Sequence, residues 1–193
     1  MREKHRWNTF SKCLRKKPDL ANNPLYKPTG SDSWPESFEN ALIMIAKKNH
    51  VNPRRVNLED KFMMDGVIEN MDKNPIFYYD SEYSNHELVN EENKLAFWDV
   101  HVPIEKIGYF KKYGKSVYVR GNLEKVLVLL GRQIVKKFNE EKISWDTKTD
   151  VGLRDFIIVH AKQAYSQNAL KTGPLNKWMV MVKELMGLEY FWC

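Results

Sequence analysis

The chain is short of the features that mark many small functional classes. Of its 193 residues only two are cysteine, Cys13 and Cys193, towards opposite ends. Two isolated cysteines build neither a zinc site nor a disulfide framework, so the composition points to a reducing intracellular compartment, cytoplasm or nucleus, with organelle targeting left open. No apolar run approaches the roughly eighteen residues that a membrane-crossing helix needs, and no membrane partner is expected. The N-terminus has no apolar signal-peptide core. A phosphate-cradling glycine-rich loop and a G-x-S-x-G nucleophile elbow are both missing. So are internal repeats and low-complexity tracts, which excludes solenoids and propellers.

What the chain does have is positive charge and aromatic surface. Lys and Arg number 31 against 25 Asp and Glu, a formal charge of +6, with a pI near 9.1. That balance favours an anionic partner, with nucleic acid first among them and DNA before RNA. A hydrophobic fraction of 42% is enough for a core, and the length fits one domain. Six Trp, nine Tyr and nine Phe serve mainly that core, with a few left to stack on bases.

Residues 1–31 read as a basic N-terminal arm, ahead of a single globular domain at 32–193. Arg2, Lys4, Arg6, Lys12, Arg15, Lys16 and Lys17 are opposed in the first seventeen positions only by Glu3, with Trp7 and Phe10 between them. Such an arm suits a phosphate backbone, the charge giving affinity and the aromatics stacking. A targeting segment, or a solvated helix pinned by the two aromatics, has the same composition.

Periodicity then predicts an α/β or α+β domain: a small mixed sheet of three or more strands flanked by helices, with a helical pair at the C-terminal end. An α/β core spans 34–138 and a helical extension spans 150–193. Helices are expected at 34–48, 58–71, 104–112, 123–138, 151–168 and 175–186, and strands at 75–82, 95–102 and 116–120. Ser33 and Glu36 have capping-box spacing, and Pro35 suits a first turn. Pro53-Arg-Arg55 reads as a break between helices. His160 lies beside Ile157, Ala161 and Ala164 on an apolar helix face and reads as a core histidine.

One cluster carries chemistry. Side chains alternate along a strand, so Asp80 and Glu82 share one face of the first strand with Ile76 and Tyr78. Asp99 and His101 share one face of the second. Paired with these faces together, the strands would gather Asp80, Glu82, Asp99 and His101. Carboxylate oxygens suit magnesium or manganese, with phosphates completing the shell, and a histidine moves the preference from magnesium toward manganese, zinc or iron. His101 could also carry a proton near neutral pH. Lys94, Lys106, Lys111, Lys112, Lys115 and Arg120 surround the segment and suit phosphate contacts. A sheet face turned to water has the same alternation.

The order and spacing over residues 34–138 resemble the restriction-endonuclease-like PD-(D/E)XK nucleases. That family's pattern is a helix carrying an acid, a strand ending in Asp, a strand with an acid and a lysine two residues on, then helix, strand and helix. The resemblance implies Glu39 or Glu36 as the helical acid, Asp80 as the first-strand acid and Asp99 as the second. His101 stands at the lysine position, with Lys106 or Lys94 as substitutes. Metal ligands would be Asp80, Glu82, Asp99 and Glu39, and catalytic groups Asp80, Asp99, His101 and Lys106. Tyr79-Asp80-Ser-Glu82 also resembles the D-x-E strand of DnaQ-like exonucleases, with His160 as base and Tyr165 where that family has an acid. Trp34–Leu42 is similar to the first helix of TEA-type DNA-binding domains over that stretch alone. The expected function is a metal-dependent nuclease. The alternative is a non-catalytic nucleic-acid-binding or assembly protein on the same scaffold.

Overall fold

The computed structural model describes residues 34–56, 64–84, 99–141 and 156–189. The basic arm, with Arg2, Lys4, Arg6, Lys12, Arg15, Lys16 and Lys17, lies outside the described residues, as do Ser33 and Lys94. The protein is a mixed α/β structure with a six-stranded mixed sheet and a separate two-stranded ribbon.

Helix α1 spans Trp34–Lys48. Glu36 in its first turn and Lys47 and Lys48 in its last complement the helix dipole. Phe38, Ala41, Leu42, Ile45 and Ala46 form its buried stripe. Three antiparallel strands follow, β1 at Asn52–Arg55, β2 at Gly66–Glu69 and β3 at Pro75–Tyr83. Pro53 cannot donate to a ladder, and β1 is accordingly an edge strand. The turn into β3 is held by Asn70 Oδ1, which accepts from Asn74 N at 2.9 Å.

Next come β4 at Asp99–Pro103, a 3-10 turn at Ile104–Lys106 and helix α2 at Ile107–Lys112. Strand β5, Ser116–Gly121, returns parallel to β3. It turns through Asn122, whose Oδ1 accepts from Glu124 N and Lys125 N at 2.8 and 2.9 Å, into antiparallel β6, Lys125–Leu130. Helix α3 (Gly131–Glu141), strand β7 (Phe156–His160), helix α4 (Ala161–Ser166), strand β8 (Leu170–Pro174) and helix α5 (Trp178–Met186) complete the chain. Gly187 ends α5 in the left-handed conformation at φ 64°. The large sheet has the order β1-β2-β3-β5-β6-β8, and β4 pairs with β7 in the ribbon. Among the described residues no helix is long and apolar enough to cross a membrane.

The two faces of β3 meet different layers. Phe77 and Tyr79 set their edges against Trp178 of α5 at 6.0 and 5.9 Å between ring centres, and Tyr83 meets Phe38 of α1 at 6.3 Å. The alternate residues turn to the layer that holds the ribbon, the 3-10 turn, α2 and α3, as the contacts of Tyr78 with Tyr113 and of Asp80 with Lys106 show.

Several expectations are corrected. The segment 58–71 is not a helix throughout: Gly66–Glu69 is a strand buried on both faces. Pro53-Arg-Arg55 is part of a strand. The helix expected at 123–138 is strand β6 followed by α3, because Lys-Val-Leu-Val-Leu-Leu is buried on both faces and has β-branched residues at alternate positions. Within 151–168, Phe156–His160 is a strand, and His160 is exposed at its end, not in the core. Strand β8 precedes the last helix. The pairing of the two acidic strands is also overturned, since β3 lies between β2 and β5 while β4 pairs with β7 in a separate sheet.

Gly66 is fixed by a close approach. A Cβ there would meet Cζ of Tyr79 at 2.4 Å and its hydroxyl at 2.5 Å, whereas one at Gly108 in α2 meets nothing within 4 Å. Gly66→Ala is expected to lower stability by about 1–3 kcal/mol through overpacking, and Gly108→Ala to raise it by up to about 1 kcal/mol through helix propensity. Urea unfolding checks both. Equal midpoints for the two variants would contradict the packing described.

Candidate functional site

The charged groups gather around the second half of β3. Asp80 is fully buried. Its Oδ1 accepts from Lys106 Nζ at 2.5 Å, the lysine being 16% exposed on the 3-10 turn. Its Oδ2 has no hydrogen-bond partner among the described residues. Burial pushes the Asp80 carboxyl up to about 7, against the opposing pull of Lys106 and with further upward pressure from Asp65 and Glu82.

Two residues on, Glu82 occupies the same face. Its Oε2 accepts from the Tyr118 hydroxyl of β5, which also lies 3.5 Å from the His101 carbonyl oxygen. Arg120 Nε stands 3.9 Å from Oε1. Burial raises the Glu82 carboxyl above its ordinary range, and Arg120 and Lys106 oppose the rise.

A third carboxylate stands just before β2. The β2–β3 ladder ends at the Gly66–Tyr79 pair, and the charge of Asp65, one residue beyond it, bears on Asp80. There Asp65 Oδ2 accepts from both the backbone nitrogen and the hydroxyl of Ser81 at 2.6 Å. These bonds hold the carboxylate at the strand end, where the ladder itself has stopped.

Glu39 of α1 is the fourth. It pairs with Arg55 Nε at 3.1 Å. Burial raises its carboxyl, Arg55 lowers it, and the charges of Asp65 and Glu36 raise it further. The Tyr79 ring lies over Gly66 between these groups. Its buried hydroxyl has no partner among the described residues. Burial, with the Glu39 and Asp65 charges behind it, drives this phenol well above the usual range.

The result is a chain of neighbouring charges from Glu39 through Asp65 and Asp80 to Glu82. Of the residues singled out in the sequence, Glu39, Asp80, Glu82 and Lys106 stand along this chain. Asp99 is in β4, opposite His160, and its side chain lies outside the described residues. His101 contributes its carbonyl beside Tyr118. Glu36 is exposed on the first turn of α1. Lys111, Lys112 and Lys115 are exposed, while Arg120 is buried in the wall of the site and faces Glu82. Asp65, Ser81 and Tyr118 went unnoticed in the sequence. Asp65-Gly66 ahead of the β-branched pair Val67-Ile68 is the signal that marks a strand start there.

Among the described residues, no group of three or more His, Cys, Asp or Glu side chains is disposed to hold a metal ion. Asp80, with one oxygen unpartnered among the described residues and the charges of Asp65 and Glu82 bearing on it, is the carboxylate of this group least compensated by its neighbours. Comparison with family models, with curated proteins and with solved structures returns no match.

The raised Asp80 carboxyl has a consequence for stability. The folded state keeps a proton that the unfolded chain gives up near 3.8. Its contribution is complete below that pH and is lost as pH rises to about 7, so stability falls across this window. Glu39 and Glu82 shift the same way. Asp80→Asn is expected to flatten the fall. Urea unfolding at pH 5 and pH 7 measures it, and an unchanged difference between the two pH values in the variant would contradict the assignment.

Proposed function

We propose that the protein is a metal-dependent nuclease whose site centres on Asp80 in the second half of β3 and on Asp65 just before β2. The observation that carries this is the buried Asp80 Oδ2, unpartnered among the described residues, within a run of carboxylates whose charges reach one another, Asp65 among them. Carboxylates that feel each other's charge repel in the absence of a cation, and beside the larger effect of burial the upward pressure of Asp65 on Asp80 expresses that repulsion. The sequence resemblance implied a helical acid, then strands carrying acids, then a helix and a further strand. Glu39 on α1, Asp80 on β3, helix α2 and strand β5 stand in that order, but Asp99, the acid implied for the second strand, lies on β4 in a separate sheet, and Asp65, just before β2, takes its place in the proposal. The pairing of acids proposed here is therefore Asp65 with Asp80.

Magnesium or manganese held by Asp65 and Asp80 would activate water and stabilise the charge of a phosphoryl transition state. The remaining roles belong to the chain. Lys106, already on Asp80 and partly exposed, is a cation within reach of a phosphate bound at the same carboxylates. Glu82, with its proton affinity raised by burial and its orientation fixed by Tyr118, is suited to accept the proton of an attacking water. Ser81 orients Asp65. Arg55 compensates Glu39. The exposed lysines Lys111, Lys112 and Lys115 suit the phosphate backbone of a nucleic-acid substrate, DNA before RNA.

One observation favours a second reading, a non-catalytic nucleic-acid-binding or assembly protein. Asp80 is fully buried and counter-charged by Lys106, an arrangement that also serves to hold two layers together.

Cleavage of labelled single- and double-stranded DNA and RNA with magnesium, manganese or chelator separates the two. The nuclease reading expects metal-dependent cleavage that falls on the order of a hundredfold or more in Asp65→Asn and in Asp80→Asn, at least matching the 10–100-fold effect of losing a residue that merely supports a metal ligand. Tight binding without cleavage under any metal would leave the binding protein.

A further inference from the structure

Two tyrosines stand beside this site and take no part in it. Tyr78 occupies the same face of β3 as Asp80, two residues away, which is about 6.6 Å along a strand. Its ring stacks on that of Tyr113 with 4.0 Å between ring centres and 24° between planes. Both are half-buried and pack against the core. Tyr113 lies at the end of α2, where the chain turns through Gly114 and Lys115 into β5. The Lys115 carbonyl accepts from Tyr78 N at 2.9 Å, which locks this turn to β3. The Lys112 ammonium stands 5.2 Å over the Tyr113 ring. Lys111, Lys112 and Lys115 are all exposed around the pair.

We infer that the Tyr78–Tyr113 stack, with Lys112 and Lys115, is a base-stacking subsite for an unpaired strand of nucleic acid. The chemistry is specific to that occupant. A rigid pair of rings offers a flat π surface that any nucleobase matches, and the lysines match the phosphates on either side of it. In a duplex the base faces are already stacked on one another, so only an unpaired nucleotide can use the rings. The strand-length offset from Asp80 is close to one nucleotide of extended chain, so a base held here delivers a neighbouring phosphate toward the acidic site. That last step rests on the proposed nuclease reading; the stacking itself does not.

Binding of the full chain to a fluorescein-labelled oligothymidine 12-mer and to a 12-base-pair duplex, both in chelator, tests the subsite without any metal. Tyr113→Ala is expected to weaken single-strand binding about tenfold, within the range for loss of one stacked base, and to leave duplex binding unchanged. Tyr113→Leu, which keeps an apolar contact on Tyr78 but removes the π face, is expected to lose as much. Tyr113→Trp is expected to retain wild-type affinity. Unchanged single-strand affinity in Tyr113→Ala and Tyr113→Leu, equal losses on single strand and duplex, or no binding by the wild type would overturn the inference.

Discussion

Two neighbouring strands that run in the same direction cannot be joined by a tight turn. Strands β3 and β5 are such a pair, and the rest of the site depends on that constraint. The chain has to leave the end of β3, cross the sheet and return to the start of β5. On the way it forms β4, the 3-10 turn and α2, and it lays them over the face of β3 that carries Tyr78, Asp80 and Glu82. Lys106 thereby reaches Asp80, the His101 carbonyl reaches Tyr118, and Tyr113 reaches Tyr78. The acidic face is closed over, and its charges are met by groups from the crossover and from β5.

A closed acidic face is a costly way to join two layers. Removing one partner of a buried ion pair typically costs about 3–5 kcal/mol, yet replacing both partners by well-packed apolar groups is often neutral or stabilising. The opposite face of β3 shows the cheaper solution, with Phe77 and Tyr79 edge-on to Trp178. Asp80 and Lys106 are therefore a choice that packing alone does not require. Asp65 adds to it, for Ser81 spends two hydrogen bonds on holding that carboxylate past the end of the β2–β3 ladder, where its charge bears on Asp80. That repulsion is retained in the folded state, and it is what the proposed cation would relieve.

The class of fold was legible in the sequence, and the first helix and the strands at β3 and β5 stand close to where alternation and helical spacing put them. The failures share a cause. Segments buried on both sides lose the polar half of their pattern, so Val67-Ile68 and Val126 to Leu130 carry no alternation that separates strand from helix. Misreading Gly66–Glu69 as helical removed Asp65 from view, because an acid on a helix at that point faces nothing. The site was then assembled from the two strands that did alternate, and β4 was given to β3 as a partner. Asp80, Glu82, Lys106 and Glu39 could be named because their own segments were read correctly. Which strand lies beside which is a property of the crossover and of the ladder, and no local pattern in β3 or β4 encodes it.

Whether Asp65 and Asp80 share one cation is measured most directly by manganese binding, followed by electron paramagnetic resonance on the full chain with a non-cleavable oligonucleotide present. One tightly bound manganese per chain, lost in Asp65→Asn and lost again in Asp80→Asn, is the expected result. Manganese bound equally well by wild type and both variants, or by none of them, would contradict it.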